Sequence, residues 1–213
     1  WQQGVEFCER RGYWLERFSG DIPVLNLPLD RPRPQKQSFE GGVVKAQTGE
    51  RMKNGISALA AAMGATDYMV LLAALMALLG RYSGQEDVVI GSPVSGRTHP
   101  DCEHMAGMFA NTLAMRGFPR RGISFRQLLA QVREDSVLAF ENQEYPFEDL
   151  LQHLELDRDM SRNPLFDVMM VLQNNRSETI SLDDINLVNI QRGTRSAKFD
   201  LAVNITVQGD GYC

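Results

Sequence analysis

Residues 66–94 read TDYMVLLAALMALLGRYSGQEDVVIGSPV and place a helix directly before a strand. A Thr-Asp pair can cap the predicted helix over 68–82, and a glycine ends it. Its apolar run, Tyr68–Leu79, has twelve residues, whereas a membrane span needs about 20. This stretch therefore predicts a core helix. The β-branched run Asp87–Val94 that follows predicts a buried strand.

Further helical and strand patterns lie on both sides of this stretch. The predicted helices cover 1–20, 55–65, 124–141 and 146–156. The predicted strands cover 39–44, 108–115, 166–172, 185–190 and 199–207. Ser124 and Gln127 fit a capping box, and Pro146 suits the first position of its helix. Because helices and strands interleave, the sequence predicts an α/β fold with a sheet covered by helices.

The segment Pro23–Pro34 contains four prolines in twelve residues. Proline lacks a backbone donor and fixes its own φ, so this density excludes a helix and a central strand. The segment is apolar where a flexible linker would be rich in Gly and Ser, which indicates a fixed connector packed along a surface. We interpret Arg31 and Arg33 between the prolines as solvated, with an interface contact as the alternative.

Composition and charge exclude several classes of protein. The 213 residues are 43% hydrophobic and 23% charged, which is typical of a folded domain. A formal charge of -5 excludes a uniformly basic surface for nucleic acid. Cys8, Cys102 and Cys213 are too sparse for a disulfide framework, and the start lacks the features of a signal peptide. We expect a cytoplasmic protein that binds neither nucleic acid nor a membrane.

Three short patterns suggest chemistry, and none is complete. Gly91–Thr98 has the spacing of a phosphate-binding loop, but Arg97 replaces the lysine and no helix is predicted after it. His153 and Asp157 spell H-x-x-x-D at the end of a short helix, where His153 is expected to stabilise the helix C-terminus or to be exposed; a catalytic role is the alternative. A third cluster is formed by His99, Cys102 and His104. That cluster lacks the further ligands of a zinc site, so we expect a polar loop there and no metal site. Because none of the three patterns is complete, we also expect no catalytic residue in this chain.

Several further stretches follow one another in a distinctive order. Gly107–Thr112 reads GMFANT against G-x-F-V-N-T, Asn142–Glu148 reads NQEYPFE against N-Q-D-Y-P-F-E, and Arg158–Leu165 matches R-D-x-S-R-N-P-L in full. The order is completed by Tyr13–Pro34, Val89–Arg97, Phe166–Asn174 and Lys198–Leu201. Together these stretches resemble the condensation domains of nonribosomal peptide synthetases over nearly the whole chain.

The resemblance implies a fold of two chloramphenicol-acetyltransferase-like lobes in a V, each with a mixed sheet covered by helices. It also implies partners, namely upstream and downstream peptidyl carrier proteins and an adenylation domain. The carriers deliver substrates on 4'-phosphopantetheine from opposite faces into a tunnel between the lobes, where the downstream amine attacks the upstream thioester. No cofactor is expected on this chain itself. The run after Arg158 resembles members that join two L-configured residues.

The catalytic motif of the family, H-H-x-x-x-D-G, belongs to its N-terminal lobe and is absent from this sequence. The pair Trp1-Gln2 resembles the end of the motif that follows that lobe's catalytic histidine. The resemblance therefore implies that residues 1–213 are the C-terminal lobe, truncated at both ends and inactive alone. Residues 1–37 would hold the first helix and the proline-rich crossover, and residues 38–213 the lobe proper.

The resemblance also assigns roles to individual residues. Those expected near the tunnel are Gly91, Ser92, Arg97, Asn111 and Thr112. Asn111 can bond a substrate amide or make an internal hydrogen bond, and both roles stay open. Those expected to be structural are Pro146, Phe147, Glu148, Arg158, Asp159, Ser161, Arg162 and Asn163. Two other functions stay open: a non-catalytic module that docks a carrier protein or partner domain, and a stand-alone acetyltransferase that uses His153.

Overall fold

The helix and the strand on either side of Gly84 both form as predicted. In the computed structural model, α3 spans Asp67–Ser83 and β1 spans Val88–Val94. The Thr66 side chain caps the helix by accepting a hydrogen bond from the Met69 amide at 3.3 Å. Gly84 ends the helix in the left-handed region, with a φ of 72°.

The structure describes residues 4–156, 159–173 and 196–213. The other helices are α1 (Val5–Arg17), α2 (Glu50–Ala62), α4 (Phe125–Glu141) and α5 (Phe147–His153). The other strands are β2 (Asn111–Gly117), β3 (Val168–Gln173), β4 (Leu201–Gln208) and β5 (Gly211–Tyr212). Ser124 caps α4 by accepting from the Gln127 amide at 3.3 Å, as its capping box predicts.

The predicted strand over 39–44 is wrong. Among the described residues, its pairing is limited to an isolated antiparallel bridge between Glu40 and Ser196. Phe39 has a φ of 58°, in the left-handed region, so the chain turns where a strand would continue. The predicted strand over 185–190 lies outside the described residues.

Several predicted boundaries also shift. The helix predicted over 55–65 begins earlier, at Glu50, and the strand predicted from 108 begins later, at Asn111. Pro146 directly precedes α5 instead of opening it. Each shift is a few residues at an element's end, where local propensity is weakest.

The sheet is mixed, and the predicted α/β fold is confirmed. Its five strands lie in the order β2-β1-β3-β4-β5. The outer pairs, β1 with β2 and β4 with β5, are antiparallel, whereas β3 runs parallel to both β1 and β4. Helix α3 packs on one face, where a Cβ at Gly117 would lie 2.3 Å from the Met76 sulfur. The other face holds Phe166, whose ring lies 5.4 Å from that of Phe147 in α5.

The connector Pro23–Pro34 is extended and bound along its length. Arg162 donates to the Leu25 carbonyl at 2.8 Å. Arg33 makes a two-pronged ion pair with Asp200. These contacts are those of a fixed connector, as its apolar composition predicts.

Within the described ranges, no single helix is both long and apolar enough to cross a membrane. Only α2 and α3 together, across a bend of 102°, reach that length and composition.

Tyr68 makes the fold sensitive to high pH. It lies on α3 with its ring 5.9 Å from that of Phe140, and burial raises the pKa of its hydroxyl from 10.0 to about 12. Because the folded pKa exceeds the unfolded one, this stabilisation is present below pH 10 and lost as the pH rises toward 12. We predict that, as the pH rises to 12, the free energy of unfolding decreases by about 2 kcal/mol less in Tyr68→Phe than in the wild type. Urea denaturation at a series of pH values measures this difference.

The control for this prediction is Tyr82→Phe on the same helix, because Tyr82 is 66% exposed. It should follow the wild-type pH profile. Identical profiles for Tyr68→Phe and the wild type would contradict the prediction.

Candidate functional site

The end of the β1–β2 hairpin carries three of the five residues expected near the tunnel. The two strands pair as far as Val94 with Asn111, and a long loop joins them beyond that point. Arg97, Asn111 and Thr112 all lie at this end. Met108 stands on the loop with 96% of its surface exposed. We call this region the hairpin end, residues 94–112.

The other two candidates, Gly91 and Ser92, lie inside β1. A Cβ at Gly91 would be 2.2 Å from the Phe166 ring, so any side chain at this position would displace that ring. Ser92 points to the opposite face and is 3% exposed. The structure thus places both residues in the interior of the sheet, where the absence of a side chain at Gly91 leaves room for the Phe166 ring.

Arg97 is committed to the loop that follows it. Its guanidinium donates to the carbonyl oxygens of Cys102, Met105 and Gly107, the last two at 2.9 and 3.4 Å. The same group lies 4.6 Å from the centroid of the Phe109 ring, in cation–π contact. These contacts close the loop on itself, as in an Ω-loop.

The phosphate-binding pattern at Gly91–Thr98 lacks its structural counterpart. The chain continues into the 3-10 turn Pro100–Cys102, preceded by His99, whose ring accepts from the Asp101 amide at 3.2 Å. No helix N-terminus faces the loop in this part of the chain. Across the described ranges, no three His, Cys, Asp or Glu side chains gather as a possible metal site.

Asn111 uses its whole side-chain amide inside the chain. Its nitrogen donates to the carbonyl oxygens of Gln143 at 2.8 Å and Tyr145 at 2.7 Å. Its oxygen accepts from the amides of Thr112 at 2.8 Å and Phe147 at 3.2 Å. These bonds fasten the start of β2 to the loop before α5. Of the two roles open for Asn111, the geometry supports the internal one.

Glu144 fastens the same loop from its other side. Its carboxylate accepts from the Thr98 hydroxyl and pairs with Arg10 of α1 at 2.9 Å. The loop before α5 is therefore bonded to both sides of the hairpin end, at Thr98 and Asn111, and to α1 through Arg10.

The segment that opens α5 contains the first group of expected structural residues. Pro146 precedes the helix with a φ of -64°, a value preorganised for the first turn. Phe147 is packed against Phe166, and Glu148 lies exposed in the first turn, where the helix dipole favours a carboxylate.

The second group, Asp159 to Asn163, forms the turn before β3. Asp159 accepts from the Ser161 amide at 2.8 Å and hydroxyl at 2.6 Å, and these bonds lower the pKa of its carboxyl. Arg162 donates to Asp167 at 2.6 Å; burial nevertheless raises the pKa of Asp167. Asn163 donates to the Lys198 carbonyl at 2.9 Å. Arg158 lies outside the described residues.

A cleft of ≈ 860 Å³ lies away from the hairpin end. The connector, the start of β1 and the turn before β3 line it, and His153 stands at its border. The His153 ring nitrogen lies 2.7 Å from the Asp149 carbonyl oxygen on its own helix, and Asp157 lies outside the described residues. Among the described residues, no carboxylate pairs with the His153 ring, so the cleft contains no acid–base pair built on this histidine.

Sequence reasoning missed Arg116, a buried side chain of β2 with several hydrogen-bond partners. It is 8% exposed, forks onto the Asp87 carboxylate at 2.6–3.2 Å, and donates to the carbonyls of Arg17 at 3.1 Å and Asp21 at 2.7 Å. The available signal was a single charged residue inside the apolar strand TLAMRG. A buried arginine in such a strand must find acceptors, and here they lie at the end of α1, in the turn after it and just before β1.

Sequence comparison finds similarity to one family along the whole chain. The family model for the condensation domain matches residues 1–213. A plipastatin synthase from Bacillus subtilis (strain 168) is 47% identical over 99% of this chain and 8% of its own length. Tyrocidine synthase 2 of Brevibacillus parabrevis is 46% identical over 95% of this chain and 6% of its own. The chain thus spans less than a tenth of the length of these curated relatives.

Solved structures agree on the fold. The X-domain from teicoplanin biosynthesis has a TM-score of 0.84 at 26% identity, over 99% of this chain and 48% of its own. The first condensation domain of the CDA synthetase has a TM-score of 0.68 at 20% identity, over 99% of this chain and 44% of its own. The motifs in their order, the mixed sheet and these matches have one explanation: the chain belongs to the condensation domain family of nonribosomal peptide synthetases.

Proposed function

We propose that residues 1–213 form the C-terminal lobe of a condensation domain that joins two carrier-bound residues through a peptide bond. The observation that carries the proposal is the condensation match along the whole chain. Two facts support its assignment to one lobe: the H-H-x-x-x-D-G motif is absent from the sequence, and the chain corresponds to 48% and 44% of the X-domain and condensation-domain chains.

In the proposed reaction, the amine of the downstream residue attacks the thioester carbonyl of the upstream residue. The new C–N bond forms as the C–S bond breaks, and the amine proton passes through a histidine of the N-terminal lobe to the leaving thiolate. The 4'-phosphopantetheine arms belong to the two peptidyl carrier proteins and enter as part of the substrates. This lobe supplies a wall of the tunnel at the hairpin end, with Arg97 and Asn111 shaping that wall.

The same proposal places the chain in a cytoplasmic multienzyme. Its partners are the N-terminal lobe, the upstream and downstream carriers and an adenylation domain of the same synthetase. The multidomain setting is supported by the four-domain synthetase holo-AB3403, which matches 99% of this chain with a TM-score of 0.85 at 21% identity. The run Asp159–Leu165 resembles members that join two L residues, and we propose that type here.

Mass spectrometry of the acceptor carrier tests the proposal directly. The chain is assayed alone and within the complete condensation domain, with an aminoacyl donor carrier and an aminoacyl acceptor carrier. We expect a dipeptidyl acceptor only with the complete domain, and more of it from an L-configured donor than from its D isomer. Loss of product when the motif histidines become alanine is the control. Product from the 213-residue chain alone contradicts the division between lobes.

A further inference from the structure

The last part of the loop in the hairpin end is an exposed apolar run. Residues 105–110 read MAGMFA and contain no charged side chain and no side-chain N–H or O–H donor. All of them except Phe109 are exposed, with Met105 at 52% and Met108 at 96%. Consecutive exposed apolar residues point to a functional contact, because apolar side chains that face water do not stabilise the fold. We call residues 105–110 the methionine run.

The backbone of the methionine run follows a fixed path. Gly96 has a φ of 65°, and a Cβ there would lie 1.8 Å from the Phe109 carbonyl oxygen, so the two sides of the loop touch. The Arg97 guanidinium donates to the carbonyl oxygens of Met105 and Gly107 and lies against the Phe109 ring. The methionine run is therefore displayed by a closed, preorganised loop.

The surface that this loop offers to a ligand is apolar where it approaches β2. Asn111, the first residue of β2, uses its side-chain amide in bonds within the chain. The exposed polar side chains of the loop, among them Asp101 and Glu103, all precede the run. Methionine side chains are unbranched and polarizable, so they adapt to apolar groups of different shape and require no fixed hydrogen-bonding pattern. Such a surface distinguishes apolar ligands from polar ones and large ones from small ones.

We propose that Met108 contacts the apolar side chain of a carrier-bound aminoacyl substrate and thereby selects large apolar residues. The proposal rests on the proposed function, which makes the hairpin end a wall of the tunnel. Met108 is the more exposed of the two methionines, and its thioether is buried only when another group covers it. A leucine side chain is long enough to do so, whereas an alanine side chain is not. A contact between Met108 and the N-terminal lobe would instead affect every substrate alike.

Peptide formation from matched substrates tests the proposal in the complete condensation domain. In one series the donor carrier holds L-leucine or L-alanine and the acceptor carrier holds glycine; in the other series the two carriers exchange these loads. Mass spectrometry of the acceptor carrier gives the ratio of the leucine rate to the alanine rate. We expect Met108→Ala to lower this ratio about tenfold in at least one series, the selectivity that a lost apolar contact removes. The series that changes identifies the donor or the acceptor side chain as the group contacted.

Two variants control for side-chain size and position. Met108→Leu keeps a large apolar side chain and should leave the ratio within about twofold of wild type. Met52→Ala is the matched control, because Met52 is also exposed, at 56%, but lies on α2 outside the hairpin end. It should not change the ratio. Thermal unfolding followed by circular dichroism should be the same for Met108→Ala and wild type, since exposed positions contribute little to stability.

Three outcomes separate this proposal from the proposed function. A ratio that Met108→Ala leaves at the wild-type value in both series overturns the role of Met108, while peptide formation itself supports condensation. An equal loss of rate with leucine and alanine also overturns it, because that result indicates a contact with the other lobe. Absence of peptide from the wild-type domain with every substrate pair refutes the proposed function, and the role of Met108 with it.

Discussion

Replacing Arg116 with methionine is expected to lower the free energy of unfolding by about 3–5 kcal/mol, the usual cost of removing one partner from a buried charge pair. Methionine keeps most of the aliphatic volume but no donor. The change leaves the Asp87 carboxylate without its fork and the carbonyls of Arg17 and Asp21 without their donors. Urea denaturation followed by circular dichroism measures the loss.

Arg120→Met is the matched control, because Arg120 also lies 5.6 Å from the Phe118 ring but is exposed. We expect a change within about 0.5 kcal/mol there. Arg116→Lys should fall between the two, since one ammonium cannot reach all the acceptors of a planar fork. A loss at Arg116→Met no larger than at Arg120→Met would contradict the prediction, because the buried ion pair and carbonyl bonds would then add no stability beyond the shared ring contact.

The elements that the sequence predicts well are those with local signals. Helix α3 has an apolar run between a capping threonine and Gly84, and α4 starts at Ser124 with its capping partner three residues on. Those interactions depend on neighbours in the chain, so a single sequence contains them. The predicted strand over 39–44 failed because pairing depends on distant residues: Phe39 adopts a left-handed φ, and no described strand forms a ladder with the segment.

The candidate site is less predictable, because its interactions join distant parts of the chain. The side chain of Asn111 bonds carbonyls that are 32 and 34 residues away, and Arg116 bonds carbonyls 99 and 95 residues away. A motif identifies Asn111 as special without saying whether it faces a substrate or the interior.

These long-range bonds explain how the hairpin end keeps its shape. Arg97 bonds the loop to itself. Asn111 and the Thr98–Glu144 hydrogen bond attach the two sides of the hairpin end to the segment before α5. The tunnel wall that we propose at the hairpin end would gain from such rigidity, since a preorganised wall avoids ordering costs on binding.

Asn111→Asp is expected to lower the free energy of unfolding by about 2–4 kcal/mol, since two carbonyls lose their donor at once. Aspartate keeps the shape and still accepts from the Phe147 amide. Its second oxygen, however, faces the carbonyls of Gln143 and Tyr145, where the asparagine nitrogen donated. Chemical denaturation measures the loss, and faster hydrogen exchange at the amides of residues 143–147 should locate it.

Thr112→Val provides the control, because valine is nearly isosteric and the Thr112 backbone bond is unchanged. That variant should stay within about 0.5 kcal/mol of wild type. The pair also separates the two roles of Asn111. An asparagine that binds the substrate amide would lose peptide formation in the complete domain while stability and exchange stayed at wild-type levels. An asparagine that holds the hairpin end must lose stability first, with catalysis falling only as the wall loosens.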